Sequence, residues 1–211
     1  MEKIPDWVEI GEGARIHPTV LFAPWNGKKT IIGKRVSIES GTVIYGGVSV
    51  GNDSGIGHNT VIRFNTEIGV HSVIANLCML DGNIVIGNHT MINSHNHIAQ
   101  KTTIGSYVFM APMCVTTNDP EISFYRKEYS QETWAHWKFL EGPTIKDGVR
   151  IGASVVILPK VIIGKQAFIG AGAVVTKSVP EYAVVFGAPA RIIRYIKPDA
   201  DQIVLCKREH F

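Results

Sequence analysis

The sequence predicts an all-β fold, a parallel β-helix, and three regularities support this prediction. An aliphatic side chain occupies every sixth position from Ile32 to Met110, and the residue four positions later is mostly small or compact, as at Thr42 and Ser54. A glycine directly follows the aliphatic residue at a strict spacing of eighteen, at Gly33, Gly51, Gly69, Gly87 and Gly105. Three six-residue units therefore form one coil of triangular cross-section, and each rung is buried only by its neighbours.

The register of the repeat shows a first interruption near the N-terminal end. Ile10, Ile16 and Phe22 begin a first coil, but ten residues rather than six separate Phe22 from Ile32. A short segment around Pro24 to Gly27 should therefore bulge out of the coil. An amphipathic α-helix is excluded here, because apolar residues do not recur near every 3.6 positions over several turns.

A second interruption separates the last coils from the rest. The repeat stops after Thr116 and resumes at Ile145, and we therefore expect about eight coils with one long external loop over 117–143. An ordered loop of this length is usually functional. Val179-Pro180 is interpreted as a stop signal, and the short tail at 198–211 is expected to form a closing helix. One β-helix domain, 1–197, would then precede the tail.

Composition agrees with one globular domain in the cytoplasm. The chain of 211 residues is 45% hydrophobic and 18% charged, which is enough for an independent core. No segment approaches the length of a membrane span, and the N-terminus does not resemble a secretion signal. Cys78 and Cys114 lie two coils apart, about 9.6 Å, which is too far for a disulfide. They are interpreted as small core residues, and Cys206 as a free thiol in the tail.

The charge distribution is more informative than the total. A net charge of +3 is too small to indicate nucleic acid binding. Six cationic residues fall in the last two coils and the segment after them: Lys160, Lys165, Lys177, Arg191, Arg194 and Lys197. Such a cluster suits a polyanionic ligand.

Three motifs near the C-terminus resemble one family. Ile151-Gly-Ala, Ile169-Gly-Ala-Gly-Ala-Val-Val-Thr-Lys and Phe186-Gly-Ala-Pro-Ala-Arg-Ile-Ile-Arg look like the acyl-CoA-binding end of hexapeptide acyltransferases. The galactoside and maltose acetyltransferases and their amino-sugar relatives belong to that superfamily. The resemblance implies a left-handed coil, although parallel crossovers are usually right-handed. It also implies a homotrimer that uses acetyl-CoA or another acyl-CoA as co-substrate.

The same resemblance assigns cofactor-binding residues. Backbone groups at Ala153 and Ala171 would run along pantetheine, because small side chains let this thin diamide chain lie against a strand edge. The nucleotide end of the cofactor would meet Thr176, Lys177, Arg191 and Arg194, since phosphates are bound by several cations. The alternative is that the alanines only pack tightly and the cations only solubilise an end cap.

Around His97 the sequence resembles the acceptor site of acyltransferases that act on nucleotide sugars, in the segment Met91 to Gly105. The usual general base is replaced by Gln100, whose amide cannot take a proton. His97 matches a second histidine of that pattern, whereas His95 has no counterpart. Strand alternation would turn both histidines outward and Asn96 inward. Alternatively, both are surface histidines without a chemical role.

A further resemblance concerns the start of the loop. Thr117-Asn-Asp-Pro120 resembles acetyltransferases of dTDP- and UDP-linked amino sugars, whose following arginine is displaced here to Arg126. We therefore expect Asn118, Gln100 and Arg126 to bind the acceptor and Asp119 to be a second candidate base. The alternative for Asp119 is a turn residue before proline.

These features predict an acyl-CoA-dependent N-acyltransferase, most simply an acetyltransferase, acting on a nucleotide-linked amino sugar. The amine would attack the thioester directly, and His97 or Asp119 would accept a proton. A backbone amide near the Met110-Ala111 rung or the Asn118 side chain would hold the oxyanion. We expect no covalent enzyme intermediate, no metal, and no nucleic acid or membrane partner.

Three other functions stay open. The nearest is O-acetylation of a sugar hydroxyl. The second is a γ-type carbonic anhydrase-like zinc enzyme, for which His71 and His89 are spaced one coil apart but a third histidine ligand is not evident. The third is a non-catalytic β-helix that serves as a scaffold or binding subunit.

Overall fold

The computed structural model describes residues 4–120 and 140–196, in which all regular structure is β-strand. Three parallel sheets form the sides of a triangular solenoid, so the predicted β-helix is confirmed. The first sheet contains β1 (Val8–Ile10), β4 (Thr30–Ile32), β7 (Ser49–Val50), β10 (Glu67–Ile68), β13 (Val85–Ile86), β16 (Thr103–Ile104), β19 (Thr144–Ile145) and β22 (Ile162–Ile163).

The other two sides are built in the same way. The second sheet contains β2 (Arg15–Ile16), β5 (Ser37–Ile38), β8 (Gly55–Ile56), β11 (Val73–Ile74), β14 (Met91–Ile92), β17 (Phe109–Met110), β20 (Arg150–Ile151), β23 (Phe168–Ile169), β25 (Ala183–Phe186) and β26 (Arg191–Tyr195). The third sheet contains β3 (Leu21–Ala23), β6 (Val43–Tyr45), β9 (Val61–Ile62), β12 (Met79–Leu80), β15 (His97–Ile98), β18 (Val115–Thr116), β21 (Val156–Ile157) and β24 (Val174–Val175).

Pairing follows the spacing of eighteen. Ile68 pairs in register with Ile86, and Ile86 with Ile104, so each residue lies directly over its counterpart in the preceding coil. The first and third sheets each have eight strands, which confirms the predicted eight coils. The left-handed sense stays a prediction of the resemblance.

The C-terminal end differs from the sequence prediction. Val179-Pro180 does not stop the coil, because Val179 bridges Ile163 and β25 then pairs with β23 as the start of a ninth turn. β26 folds back antiparallel on β25 and ends the solenoid. The predicted tail helix at 198–211, Cys206 and Arg126 lie outside the described residues.

Inside the coils, both residues of the repeat, the aliphatic one and the compact one four positions later, are buried. The aliphatic residues are almost without exposure, and the compact residues that follow them are also buried. Buried hydroxyls in the compact slots are satisfied by carbonyls, as where Thr60 Oγ1 donates to Ala75 O at 2.7 Å. Asn96 faces inward as predicted: its Nδ2 donates to Asn93 O at 2.6 Å and its Oδ1 accepts the Cys114 N–H at 2.7 Å.

Both predicted interruptions leave the solenoid between the third and first sheets. The bulge lies between β3 and β4, and its Trp25 ring stacks on Phe64. The ends of the long loop meet where Glu141 N–H donates to Asn118 O at 2.7 Å. Thr116 replaces the aliphatic residue at this point, and its Oγ1 accepts the buried Ala99 N–H at 2.8 Å. In the coils below, the matching amides donate to backbone carbonyls, so Thr116 compensates for the departing chain.

No helix in residues 4–120 and 140–196 has the length and apolar character needed to cross a membrane.

Candidate functional site

The candidate site lies on the outward face of the third sheet and on the corners at either side of it. We call the turn between the second and third sheets the second corner, and the turn between the third and first sheets the third corner. The face itself is mostly apolar, with one outward residue per coil: Leu21, Val43, Val61, Met79, His97, Val115, Val156 and Val174. His97 is the single ionisable side chain in this row of described residues.

His97 is paired with a carboxylate. Its Nε2 lies 2.7 Å from Asp81 Oδ2, and the two side chains are 50% and 26% exposed. Asp81 directly follows β12, one coil below, so the pairing needs no chain excursion. A histidine that donates Nε2–H to a carboxylate keeps Nδ1 as its basic atom. A pair of this kind can orient a histidine for proton transfer, and here it lies on an open apolar face.

Gln100 and Asn118 lie together at the third corner. Asn118 Nδ2 donates to the backbone O of Gln100 at 3.2 Å, and the Gln100 side chain lies 3.4 Å from Asn83 Nδ2. Asp119 follows at the same corner and is half-buried. The structure thus brings Gln100, Asn118 and Asp119 to the side of the face that carries Asp81.

His95 is placed differently from the prediction. It lies not in a strand but in the second corner, with a left-handed φ of 63°, and it is exposed. His95 lies in the tight turn between β14 and β15. The residues at the same position one coil below and one coil above, Leu77 and Met113, also have a positive φ. His95 and His97 therefore do not share one strand face, and strand alternation was the wrong argument for His95.

At the second corner, Ala153 and Ala171 leave backbone amides open. Lower down the same corner, Asn76 Oδ1 accepts the His58 N–H of the coil below at 2.8 Å. Ala171 occupies the position over Ala153 that Asn76 occupies over His58. The side chain of alanine has no hydrogen-bond acceptor and cannot replace Asn76 in this role. Within residues 4–120 and 140–196, neither the Ala153 N–H nor the Ala171 N–H has a hydrogen-bond partner. An unpaired amide beside small side chains can bind the carbonyl of an extended ligand.

The two arginines of the last strand lie beside this corner. β26 pairs Arg191 with Phe186 and Arg194 with Val184, and a β-bulge between these pairs places an extra residue in β26. The extra residue brings both arginines to the same face of the strand. Both side chains are exposed. Arg191 Nη1 also donates to Ala190 O at 2.9 Å.

Thr176 and Lys177 lie on the opposite side of the third sheet. They follow β24 at the third corner, whereas Ala153 and Ala171 precede the strands of that sheet at the second corner. Both Thr176 and Lys177 are exposed. The structure therefore divides the predicted cofactor residues between two edges of one face.

One predicted oxyanion donor is already used. The Ala111 N–H donates to Ile151 O at 2.9 Å in the sheet ladder, and Pro112 has no N–H. The hypothesis of an oxyanion hole at Ala111 is therefore wrong. Asn118 has a second amide hydrogen and stays a candidate.

Other groups on the solenoid have structural explanations. Burial raises the pKa of the Cys78 and Cys114 thiols, so both are neutral core residues rather than nucleophiles. The His71 ring stacks on His89 at a centroid distance of 5.0 Å. No group of three or more His, Cys, Asp and Glu side chains in the described parts of the chain is arranged to hold a metal ion.

Comparison with known proteins agrees with this geometry. Residues 29–64 and 142–177 match the family described as bacterial transferase hexapeptide (six repeats). These two stretches therefore carry the hexapeptide repeats that the family model describes. The sequence-based resemblance to hexapeptide acyltransferases is therefore confirmed.

Relatives of this hexapeptide-repeat protein include acetyltransferases with different acceptors. It is 50% identical over 52 residues, 25% of this chain and 27% of the relative, to dTDP-3-amino-3,6-dideoxy-alpha-D-galactopyranose 3-N-acetyltransferase of Aneurinibacillus thermoaerophilus. It is 47% identical over 57 residues, 27% of each protein, to galactoside O-acetyltransferase of Lactococcus lactis. The chain thus spans about a quarter of the length of these curated relatives.

A solved hexapeptide-repeat containing acetyltransferase from Vibrio cholerae is also similar. The sequence identity is 28% and the TM-score 0.48, over 67% of this chain and 73% of the other.

Sequence reasoning missed Asp81 and the cap position filled by Ala171. The sequence contained a signal for Asp81. The residue one coil below His97 is Met79, eighteen positions earlier, and Asp81 follows Met79 by two residues. The period of eighteen alone therefore places position 81 beside the strand that carries position 97.

Proposed function

We propose that this hexapeptide-repeat protein is an acetyl-CoA-dependent N-acetyltransferase of a nucleotide-linked amino sugar. The observation that carries acetyl transfer is the His97–Asp81 pair, with its 2.7 Å contact, on a face whose second corner leaves two amides open. The amine acceptor is supported by the resemblance of Thr117-Asn-Asp-Pro120 to acetyltransferases of dTDP- and UDP-linked amino sugars. His97 lies in coil five, while Ala153 and Ala171 lie in coils seven and eight. The axial separation is about 10–14 Å, which a bent pantetheine arm can span.

The chemistry follows from which atom of His97 is available. Nε2 is held by Asp81, so Nδ1 accepts a proton from the acceptor amine as its nitrogen attacks the thioester carbonyl. The carbon–sulfur bond then breaks, the thiolate of CoA leaves, and the proton held by His97 can neutralise it. The negatively charged oxygen of the intermediate would accept the second amide hydrogen of Asn118. Asp119 is the alternative base.

The acyl-CoA would lie along the second corner. The Ala153 and Ala171 amides would donate to pantetheine carbonyls, and Arg191 and Arg194 would bind phosphate oxygens. Thr176 and Lys177, at the far edge of the same face, would reach the nucleotide end, and Gln100 and Arg126 the acceptor. Thiols such as Cys78 and Cys114 stay reduced in the cytoplasm, which is the location we propose.

O-acetylation of a sugar hydroxyl is a second candidate, and the His97–Asp81 pair is the observation that favours it. A hydroxyl must lose its proton to a base as it attacks, whereas a partly neutral amine needs less help. Galactoside O-acetyltransferase is among the relatives, which agrees with this candidate.

The decisive experiment compares the two acceptors in one assay. Acetyl-CoA is supplied with a dTDP- or UDP-linked amino sugar or with its hydroxyl analogue, and a thiol reagent follows release of CoA. We expect faster turnover with the amine. His97→Ala should lower kcat by about 10²–10⁴-fold and remove the histidine ionisation from the pH–rate profile.

Matched variants separate the base from its neighbours. His95→Ala, at the second corner, should leave that ionisation in place. If Asp119→Asn causes the larger loss, Asp119 is the base instead. Turnover with the hydroxyl analogue alone would establish the second candidate, and failure to bind or use acetyl-CoA would contradict both.

A further inference from the structure

A guanidinium that the chemistry above does not use lies close to the proposed base. Arg63 directly follows β9, and it occupies the same position in coil three that Asp81 occupies in coil four. Its guanidinium carbon lies 5.3 Å from the centre of the Phe64 ring. Phe64 in turn stacks on Trp25 of the bulge, at 4.0 Å between ring centres and 8° between ring planes. The guanidinium of Arg63 therefore packs on the Phe64 ring, whose position is fixed by its stacking on Trp25.

The hydrogen-bond donors of Arg63 are largely unused. Its charged contact is with Asp81, where Nη1 lies 3.9 Å from Oδ1, beyond hydrogen-bond distance. The other oxygen of Asp81 makes the short contact with His97. In residues 4–120 and 140–196 no acceptor is hydrogen-bonded to the guanidinium, and the side chain is 39% exposed. A guanidinium offers five donors in a planar fork that fits two oxygens of a phosphate.

A second cation lies at the same corner. Lys28 belongs to the bulge that carries Trp25, and its Nζ donates to Asn65 Oδ1 at 2.9 Å. Lys28 is thus held at Asn65, two residues after Arg63 in the chain. A ligand that extends from His97 toward the N-terminal coils would meet positive charge at this point.

We propose that Arg63 binds a phosphate group of the acceptor and so selects phosphate-linked sugars. This inference rests on the proposed function. Arg63 lies two coils from His97, about 9–10 Å along the axis. That distance suits an acceptor whose amine is at His97 and whose phosphate is attached on the opposite side of the sugar ring. Phosphates of acyl-CoA are the other source of this chemistry, but the open amides at Ala153 and Ala171 lie on the opposite side of His97 along the axis.

The test uses Arg63→Gln with Arg15→Gln as its matched control. Arg15 is an exposed arginine of β2, on the second sheet in coil one and away from the third corner. Binding of dTDP, UDP, inorganic pyrophosphate and CoA is measured by calorimetry on all three proteins. We expect Arg63→Gln to weaken dTDP or UDP binding by about 10–100-fold and to leave CoA binding unchanged. Arg15→Gln should behave as the wild type.

Kinetics give an independent readout. With the nucleotide-linked amino sugar, Arg63→Gln should raise the acceptor KM and leave kcat and the KM for acetyl-CoA nearly unchanged. With the same sugar lacking phosphate, the variant and the wild type should be equal. Thermal unfolding of Arg63→Gln checks that the Trp25–Phe64 stack survives.

Three results would overturn the inference: equal diphosphate binding by wild type and variant, weakened binding of CoA alone, or a fall in kcat with both acceptors. The last result would mean that Arg63 acts only by orienting Asp81. Acetyl transfer that is independent of Arg63 would leave the proposed function intact. Arg63-dependent dTDP binding without any acetyl transfer would refute the proposed function and keep the phosphate site.

Discussion

At the scale of single residues, the pairing of His97 with Asp81 separates a candidate base from a surface histidine. Both His95 and His97 are exposed, but only His97 has a carboxylate partner that fixes its ring. Asp81 itself is three-quarters covered, so water competes less with its contact to His97 than it would at a fully exposed carboxylate. We therefore place Asp81 as a positioning residue that acts through His97.

The first prediction concerns Asp81→Asn. Asparagine is nearly the same size but cannot stabilise the imidazolium that forms when His97 accepts a proton. We expect kcat to fall by about 10–100-fold while both KM values stay nearly unchanged, as for an interaction made only in the transition state. Asp81→Glu should restore part of the rate, because the carboxylate is retained. Steady-state kinetics with both substrates measure the effect, and a change in KM alone would contradict the assignment.

Asp53→Asn is a control that should change the stability of the protein and leave kcat unchanged. A hydrogen bond from Arg35 lowers the pKa of the Asp53 carboxyl, at a corner away from the site. Because the pKa is depressed in the folded state, the stabilisation is present above the unfolded pKa, about 3.9, and is lost as pH falls through the folded value. Asp53→Asn should therefore lower stability near pH 7, converge with the wild type in acid, and leave kcat unchanged.

The resemblance predicted that His97, Gln100 and Asn118 belong to one acceptor site, and the spacing of eighteen between Gln100 and Asn118 agrees with their placement in adjacent coils. It could not predict that Asn118 would donate to Gln100 O, because this contact depends on how the chain leaves the rung after Thr116. His95 was misplaced for a related reason: two-residue strands leave most positions in turns, where strand alternation does not apply.

At the scale of elements, the corners decide where the solenoid can bind a ligand. At the first corner, between the first and second sheets, polar side chains cap successive amides, as where Asn88 Oδ1 accepts the Val70 N–H at 3.0 Å and Ser106 Oγ the Asn88 N–H at 3.0 Å. At the second corner, Asn76 caps the His58 N–H, whereas the side chains at the same position in the upper coils, Pro112, Ala153 and Ala171, have no acceptor atom. A corner whose backbone N–H groups are capped by side chains stabilises the coil. A corner with uncapped N–H groups can also donate hydrogen bonds to a ligand.

Ala171→Asn tests this interpretation directly. An asparagine at this position should cap the Ala153 N–H, as Asn76 caps His58, and should fill the space above it. We expect the KM for acetyl-CoA to rise by about tenfold or more, while the melting temperature is unchanged or higher. The acceptor KM should stay the same.

Val70→Asn supplies the matched control. Val70 lies over Asn52 at the first corner as Ala171 lies over Ala153, so the variant adds the same cap away from the site. Its KM for acetyl-CoA should equal that of the wild type. If both variants raise this KM equally, the effect is structural and the second corner is not the cofactor site.

At the scale of the whole molecule, the repeat predicted the three sheets and eight coils because each rung obeys the same two-slot pattern. The end of the solenoid was harder to predict. Val184, Val185 and Phe186 continue the second sheet outside the six-residue register, and β26 closes it by antiparallel pairing. A sequence period does not reveal where pairing continues after the period has ended.

The resemblance also predicts a homotrimer, and the exposed apolar surface of the protomer supports this prediction. Apolar side chains are exposed along the outward face of the second sheet and at the second corner: Val73, Leu77, Met91, Phe109 and Met113. Contiguous exposed apolar side chains of this kind mark interaction surfaces. In a homotrimer, a neighbouring solenoid packed here would cover them and supply a second wall to the corner that carries Ala153 and Ala171.

Met91→Lys should therefore dissociate the trimer, because it would bury an unpaired ammonium in the interface. Val85→Lys is the matched control: Val85 is 45% exposed and Met91 42%, but Val85 lies on the first sheet beside Glu67. Light scattering at micromolar concentration should give a trimer for the wild type and the control, and a smaller species for Met91→Lys. Acetyl transfer should fall with the trimer, since one solenoid provides only one side of the cleft. A wild-type monomer that is fully active would show instead that the open amides and His97 act without a neighbour, and the apolar surface would then need a different partner.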